Sequence, residues 1–210
     1  MLDAWMRRRI NPSMDRIGAF AVRGGVRANQ VTVAGIVLGV AAAGAIAFGA
    51  YGTGLLLFLL NRLFDGIDGA VARHSKVTDF GGYLDIVGDF IVYAAFVFGF
   101  AVARPEENAV AAAFLILSFV GTGSSFLAYA ILAAKRRVTT DLRGQKSLYY
   151  LGGLTEGSET IAAFVLMCLL PDSFAAVAWV FGALCWVTTG TRVLAAARSF
   201  SDDQGISGDV

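Results

Sequence analysis

Six stretches of apolar residues, each about long enough to cross a lipid bilayer, constrain this 210-residue chain more than any other feature. They fall near residues 31–51, 53–73, 80–103, 108–134, 147–170 and 173–198. Roughly 20 apolar residues at about 1.5 Å each span the hydrocarbon core, and the short connections make neighbouring spans antiparallel. Hydrophobic residues make up 57% of the chain and charged residues 16%, against roughly 45–50% and about 25% in soluble domains. An ordinary water-soluble fold is excluded. The expectation is an all-α, polytopic membrane protein, with six transmembrane helices in one domain over residues 31–200, a juxtamembrane segment over 1–30 and a polar, disordered tail over 201–210.

Charge placement orients the spans. Of 17 Lys and Arg residues, six Arg precede the first span, Arg73 and Lys76 follow the second, five follow the fourth between Lys135 and Lys146, and Arg192 and Arg198 end the sixth. The opposite loops contain only Arg104. The positive-inside rule then puts both termini in the cytoplasm of a cell-membrane protein. Residues 1–30 are basic and lack an uninterrupted apolar core, so no cleavable signal peptide is expected. Leu2, Trp5, Met6, Ile10, Met14 and Ile17 recur at helical spacing, and Pro12 is placed to open a second short helix. This segment is expected to lie on the membrane surface as an amphipathic helix rather than as a disordered basic tail. A net charge of +1 gives no reason to expect nucleic acid as a partner. Cys168 and Cys185 sit in apolar stretches without metal-ligand spacing and read as buried free thiols.

Four carboxylates break the apolar pattern. An Asp at the centre of a membrane helix costs roughly 2.5–3.5 kcal/mol on insertion scales, yet the second span contains Asp65 and Asp68 and the third Asp85 and Asp89. Spacings of three and four put each pair on one helical face. Counting from the span ends at about 1.5 Å per residue, Asp68 and Asp85 lie roughly 7.5 Å deep and Asp65 and Asp89 roughly 12–13 Å deep. A helical hairpin would bring all four together. Their mutual repulsion calls for a divalent cation, and an all-oxygen site suits Mg²⁺ or Mn²⁺. The competing readings are a structural network with Arg62 and Arg73, or a transporter or cation pathway using the acids as ligands. The interleaved Gly66, Gly69, Gly81, Gly82 and Gly88 allow either close helix approach or access of a ligand to backbone.

The stretch from Asp65 through Asp68, Gly69, Ala72 and Arg73 to Gly81, Asp85 and Asp89 resembles the signature of the CDP-alcohol phosphatidyltransferases. That pattern is D-x-x-D-G-x-x-A-R, a spacer, then G-x-x-x-D-x-x-x-D. All eight characteristic residues are present, with a seven-residue spacer from His74 to Phe80. The resemblance implies a metal-dependent transferase of phospholipid biosynthesis. Its donor, usually CDP-diacylglycerol, gives a phosphatidyl group to an acceptor hydroxyl and releases CMP. It implies metal on Asp65, Asp68 and Asp85, with Asp89 as the general base and a further metal contact. Gly69, Ala72 and Arg73 match positions that contact the cytidine nucleotide, and a homodimer is consistent with the same resemblance.

The acceptor, a small alcohol or sugar phosphate, leaves a fainter trace. The connection KRRVTTDLRGQKS supplies Lys135, Arg136 and Arg143 as candidates for an acceptor phosphate, beside its simpler role in topology and attraction to anionic lipid. Glu156 and Glu159, three apart in the fifth span, are candidates to hold a polyol or an ammonium group, or to pair with Arg62 or Arg192.

Overall fold

A computed structural model describes residues 2–136 and 154–200, and among them every regular element is helical. The order is α1 (Leu2–Arg23), α2 (Ala28–Ala47), α3 (Tyr51–His74), α4 (Asp79–Ala103), α5 (Pro105–Lys135), α6 (Gly157–Leu169) and α7 (Phe174–Phe200). Local chemistry sets the breaks. Gly25 and Gly49 adopt positive φ at 79° and 77° where the chain leaves α1 and α2, a conformation that glycine enters without a Cβ clash. Thr78 caps α4, its hydroxyl accepting the Gly81 N–H at 3.0 Å. Pro105 opens α5 in the one turn where a missing N–H costs nothing, with Glu106 and Glu107 favourable at the positive end of the helix dipole.

Among the described residues, four segments are long and apolar enough to cross a membrane: α2, α4, α5 and Pro171–Phe200, which contains α7. The chain is a multi-pass membrane protein. With 24 residues α3 is comparable in length, but Arg62, Asp65, Asp68 and Arg73 lower its apolarity. Large apolar side chains such as Val37, Phe48, Phe98, Val120 and Val180 face outward, a surface suited to lipid and costly in water.

Helices α3 and α4 each pack along α2 and lie closer to it than to one another. Glycines on the shared faces allow this. A Cβ on Gly39 would stand 2.5 Å from Val92, and one on Gly88 2.5 Å from Ile36. The wedge that α2 backs is filled in one half by aromatics. Phe58, Phe96 and Phe164 are fully buried, with ring centroids 4.3 Å apart for Phe96 and Phe164 and 4.8 Å for Phe58 and Phe96. Phe100 stacks on Phe174 at 4.4 Å beyond them. The other half of the wedge holds the acids.

Helix α1 departs from expectation. It is one helix running through Pro12, which was expected to start a new one. The proline removes a single backbone bond, and the half that follows is anchored on α3. Gly18 sits so close to Ala70 that a Cβ there would be 2.7 Å from the Ala70 Cβ and 2.8 Å from its carbonyl carbon. Gly18→Val should therefore push α1 off α3 and cost about 1–3 kcal/mol. Thermal unfolding of the detergent-solubilised protein checks this, and an unchanged midpoint would mean that α1 does not pack there. Cys168 and Cys185 are buried free cysteines.

Candidate active site

The pocket in the wedge is lined by Thr32, Gly35 and Ile36 of α2, Asn61, Arg62, Asp65 and Asp68 of α3, and Asp85, Gly88 and Asp89 of α4. All four acids singled out from the sequence therefore meet in one place. They do not form one symmetrical cluster. Carboxylate oxygens of Asp65, Asp68 and Asp85 lie within 4.8 Å of one another. Asp68 is 7% exposed while Asp65 and Asp85 are half-buried, so the trio opens from a buried floor to an accessible mouth. Three hard, anionic oxygens at that spacing fit a divalent cation such as Mg²⁺ or Mn²⁺.

Asp89 stands apart with Arg62. The guanidinium donates from Nη2 to Asp89 Oδ1 at 2.8 Å and from Nη1 to the Tyr93 hydroxyl at 3.1 Å. Its Nη1 is 3.9 Å from Asp65 Oδ2, and Nε donates to Asn61 Oδ1 at 2.8 Å. Asn61 is itself buried and gives its amide N–H to the Gly35 carbonyl at 2.8 Å, tying the group to α2. The Arg62 side chain is only 10% exposed and lies over the rings of Tyr93 and Phe58, 5.0 and 5.6 Å from their centroids. The structural network weighed for Arg62 thus exists, and it shares the pocket with the metal-type trio. Sequence reasoning noticed Arg62 and left out Asn61 and Tyr93. The available signal was Asn61-Arg62 interrupting an apolar run one turn before Asp65.

Arg73 was read as part of a structural network with the four acids or, by the resemblance, as a contact of the cytidine nucleotide. It lies exposed at the end of α3 and donates from Nε and Nη2 to Asp15 of α1, at 3.3 and 2.7 Å. Its Nη1 is 3.4 Å from where a Cβ on Gly69 would stand, so glycine leaves room for the guanidinium over the helix. Ala72 is half-buried beside it.

None of the described acceptor candidates lines the aspartate pocket. Lys135 is exposed in the last turn of α5. Arg136 donates to the carbonyls of Ser199 and Phe200, both at 3.3 Å, and lies 4.9 Å from the Phe200 ring centroid. That is a cation on the negative end of α7. Arg143 lies outside the described residues. Glu156 and Glu159 stand at the start of α6, where they form a capping box with the Glu156 N–H donating to Glu159 at 3.1 Å. Arg192, read as a flanking charge or a partner of Glu156 and Glu159, is buried in α7 and donates to the Thr122 carbonyl at 2.9 Å.

Comparison with known proteins bears on this geometry. A family model described as CDP-alcohol phosphatidyltransferase matches residues 26–195. Inner membrane protein YnjF of Escherichia coli strain K12 is 51% identical over 193 residues, which cover 92% of this chain and 94% of that protein. The bifunctional IPC transferase and DIPP synthase of Archaeoglobus fulgidus is 29% identical over 181 residues; they cover 85% of this chain and only 35% of that longer protein. The fold is shared with Mycobacterium tuberculosis phosphatidylinositol phosphate synthase (PgsA1) crystallised with CDP-DAG bound, at a TM-score of 0.71 and 21% identity over 94% of this chain and 98% of that one. A second structure of the same enzyme, in complex with manganese and citrate, also gives 0.71 at 21% identity, covering 94% and 93%.

Proposed function

The chain belongs to the CDP-alcohol phosphatidyltransferase family, and we propose that within it this phosphotransferase moves a phosphatidyl group from CDP-diacylglycerol to an acceptor hydroxyl, releasing CMP. The observation that carries the reading is the meeting of the four signature acids in one pocket, with Asp65, Asp68 and Asp85 grouped and Asp89 beside them. CDP-diacylglycerol as donor is supported by its presence in the mycobacterial enzyme of the same fold. The transport reading has no support in the comparisons.

A divalent ion bound by Asp65, Asp68 and Asp85, Mg²⁺ or Mn²⁺, supplies neutralisation of the donor pyrophosphate and of the charge that develops on departing CMP. The remaining work belongs to the chain. Asp89 accepts the acceptor hydroxyl's proton as the new P–O bond forms and the bond to the CMP oxygen breaks, CMP taking the electron pair. Gly69 and Ala72 give the nucleotide room along α3, and Arg73 exchanges its exposed partner Asp15 for a donor phosphate. Lys135, Arg136, Arg143, Glu156 and Glu159 serve the acceptor side.

The proposed topology has six spans, with α3 and the α6 segment as the second and fifth. Residues 31–200 form the catalytic domain, α1 lies on the cytoplasmic surface, both termini are cytoplasmic and two chains pair as a homodimer. The orientation is supported by the positive-inside distribution, and the docking of α1 beside the spans by its packing on α3 at Gly18.

Purified protein in detergent, given CDP-diacylglycerol and Mg²⁺, tests the activity. Glycerol phosphate, inositol, inositol phosphate, serine and choline are offered in turn. CMP release that depends on one of them is expected and names the acceptor; no release with any of them overturns the proposal.

A further inference from the structure

Arg73 is met by a carboxylate of its own chain. Asp15 Oδ1 accepts from Arg73 Nε at 3.3 Å and from Nη2 at 2.7 Å, so a single oxygen takes a whole edge of the guanidinium. Carboxylate and phosphate oxygens compete for such an edge, because both are anions that match the fork. The Arg73 and Asp15 side chains are 50% and 42% exposed, and an exposed pair contributes little to stability. Helix α1 does not need it in order to dock. Gly18 is already pressed on Ala70, and Met14 meets α3 at Gly66, where a Cβ would stand 3.5 Å from the Met14 Sδ. These contacts flank Asp15 in the sequence and hold it in front of Arg73, whose Nη1 lies back over Gly69.

We propose that Asp15 is an internal competitor for the nucleotide phosphate, a positioning residue of α1 that acts through Arg73 to weaken the hold on the nucleotide. A phosphate oxygen arriving at Arg73 meets a guanidinium whose Nε and Nη2 edge is taken, and a negative charge beside it that repels it. When CMP leaves, the same carboxylate satisfies the vacated donors, so release does not strand a bare cation. The rigid seat of α1 on α3 keeps the local concentration of this competitor high. This inference rests on the reading of Arg73 as a nucleotide contact and goes beyond it by giving α1 a part in nucleotide binding and release.

Binding of CMP to the purified protein in detergent with Mg²⁺, measured by isothermal titration calorimetry, tests it without turnover. Asp15→Asn should bind CMP about two- to fivefold more tightly than the wild type, the span that an exposed ion pair carries. Arg73→Gln should weaken CMP binding, and adding Asp15→Asn to it should change nothing further. A pair that merely braced α1 would give the opposite sign, with weaker CMP binding and a lower thermal midpoint. Unchanged or weaker binding by Asp15→Asn, or a gain that persists beside Arg73→Gln, overturns the inference. If Asp15→Asn does not fold, Asp15→Ser removes the same charge and decides in the same way. Arg73→Gln that binds CMP like the wild type would overturn the reading of Arg73 as a nucleotide contact instead, and no CMP binding by the wild type would overturn the nucleotide reading as a whole.

Discussion

Asp89→Asn is expected to lose CMP-releasing turnover by about 10²–10⁴-fold, the range associated with removing a positioned general base. The loss should fall on kcat, with the KM for CDP-diacylglycerol little changed, because the interaction removed is with a proton in transit. The substitution is nearly isosteric, and the amide oxygen still accepts the Arg62 Nη2 bond that Asp89 makes at 2.8 Å. Arg62 also retains Tyr93, Asn61 and Asp65. The wedge should therefore keep its shape, and a thermal midpoint near that of the wild type checks that it does. An enzyme of unchanged rate would remove Asp89 from proton transfer and return it to the structural network with Arg62. A variant that no longer folds would show that the Arg62 pair holds the wedge together.

The acids were legible because two local rules act on them together. Helical periodicity puts Asp65 with Asp68 and Asp85 with Asp89, and the cost of a carboxylate in hydrocarbon marks them as deliberate. The long apolar helices were legible from length and hydropathy, and α4 begins and ends within a residue of its apolar stretch. What stayed hidden depends on partners distant in sequence. Arg62 meets Asp89 across 27 positions and Asn61 meets Gly35 across 26, and nothing in a local window chooses among several acids for one arginine. Arg73 likewise finds Asp15, 58 positions away. Glu156 and Glu159 show a different ambiguity. Their i, i+3 spacing is that of a capping box as much as of one helical face, and an apolar context on both sides favoured the face. Arg136 was read as a topology charge or a ligand for an acceptor phosphate, and Arg192 as a flanking charge or a partner of the glutamates; the fold puts one on the end of α7 and buries the other.

Asp68→Asn should act through the metal, and so should differ in kind from Asp89→Asn. Asp68 is the most buried of the acidic trio, on α3 in a pocket backed by Thr32 and Gly35 of α2. Replacing it removes one of three anionic oxygens from a hard-cation site. Mutating groups that merely orient metal ligands costs about 10–100-fold in affinity, so losing a ligand should weaken Mn²⁺ binding by about 100-fold or more. Turnover at low metal should fall by a similar factor and recover in part as Mg²⁺ or Mn²⁺ is raised, a recovery that Asp89→Asn cannot show. A binding isotherm for Mn²⁺ beside a rate profile against metal concentration separates the two variants. If Asp68→Asn lost activity while binding Mn²⁺ like the wild type, Asp68 would leave the ligand set and the trio of Asp65, Asp68 and Asp85 would no longer describe the metal site. If both curves shift together, the buried floor of the pocket is where the charge of the donor pyrophosphate is met.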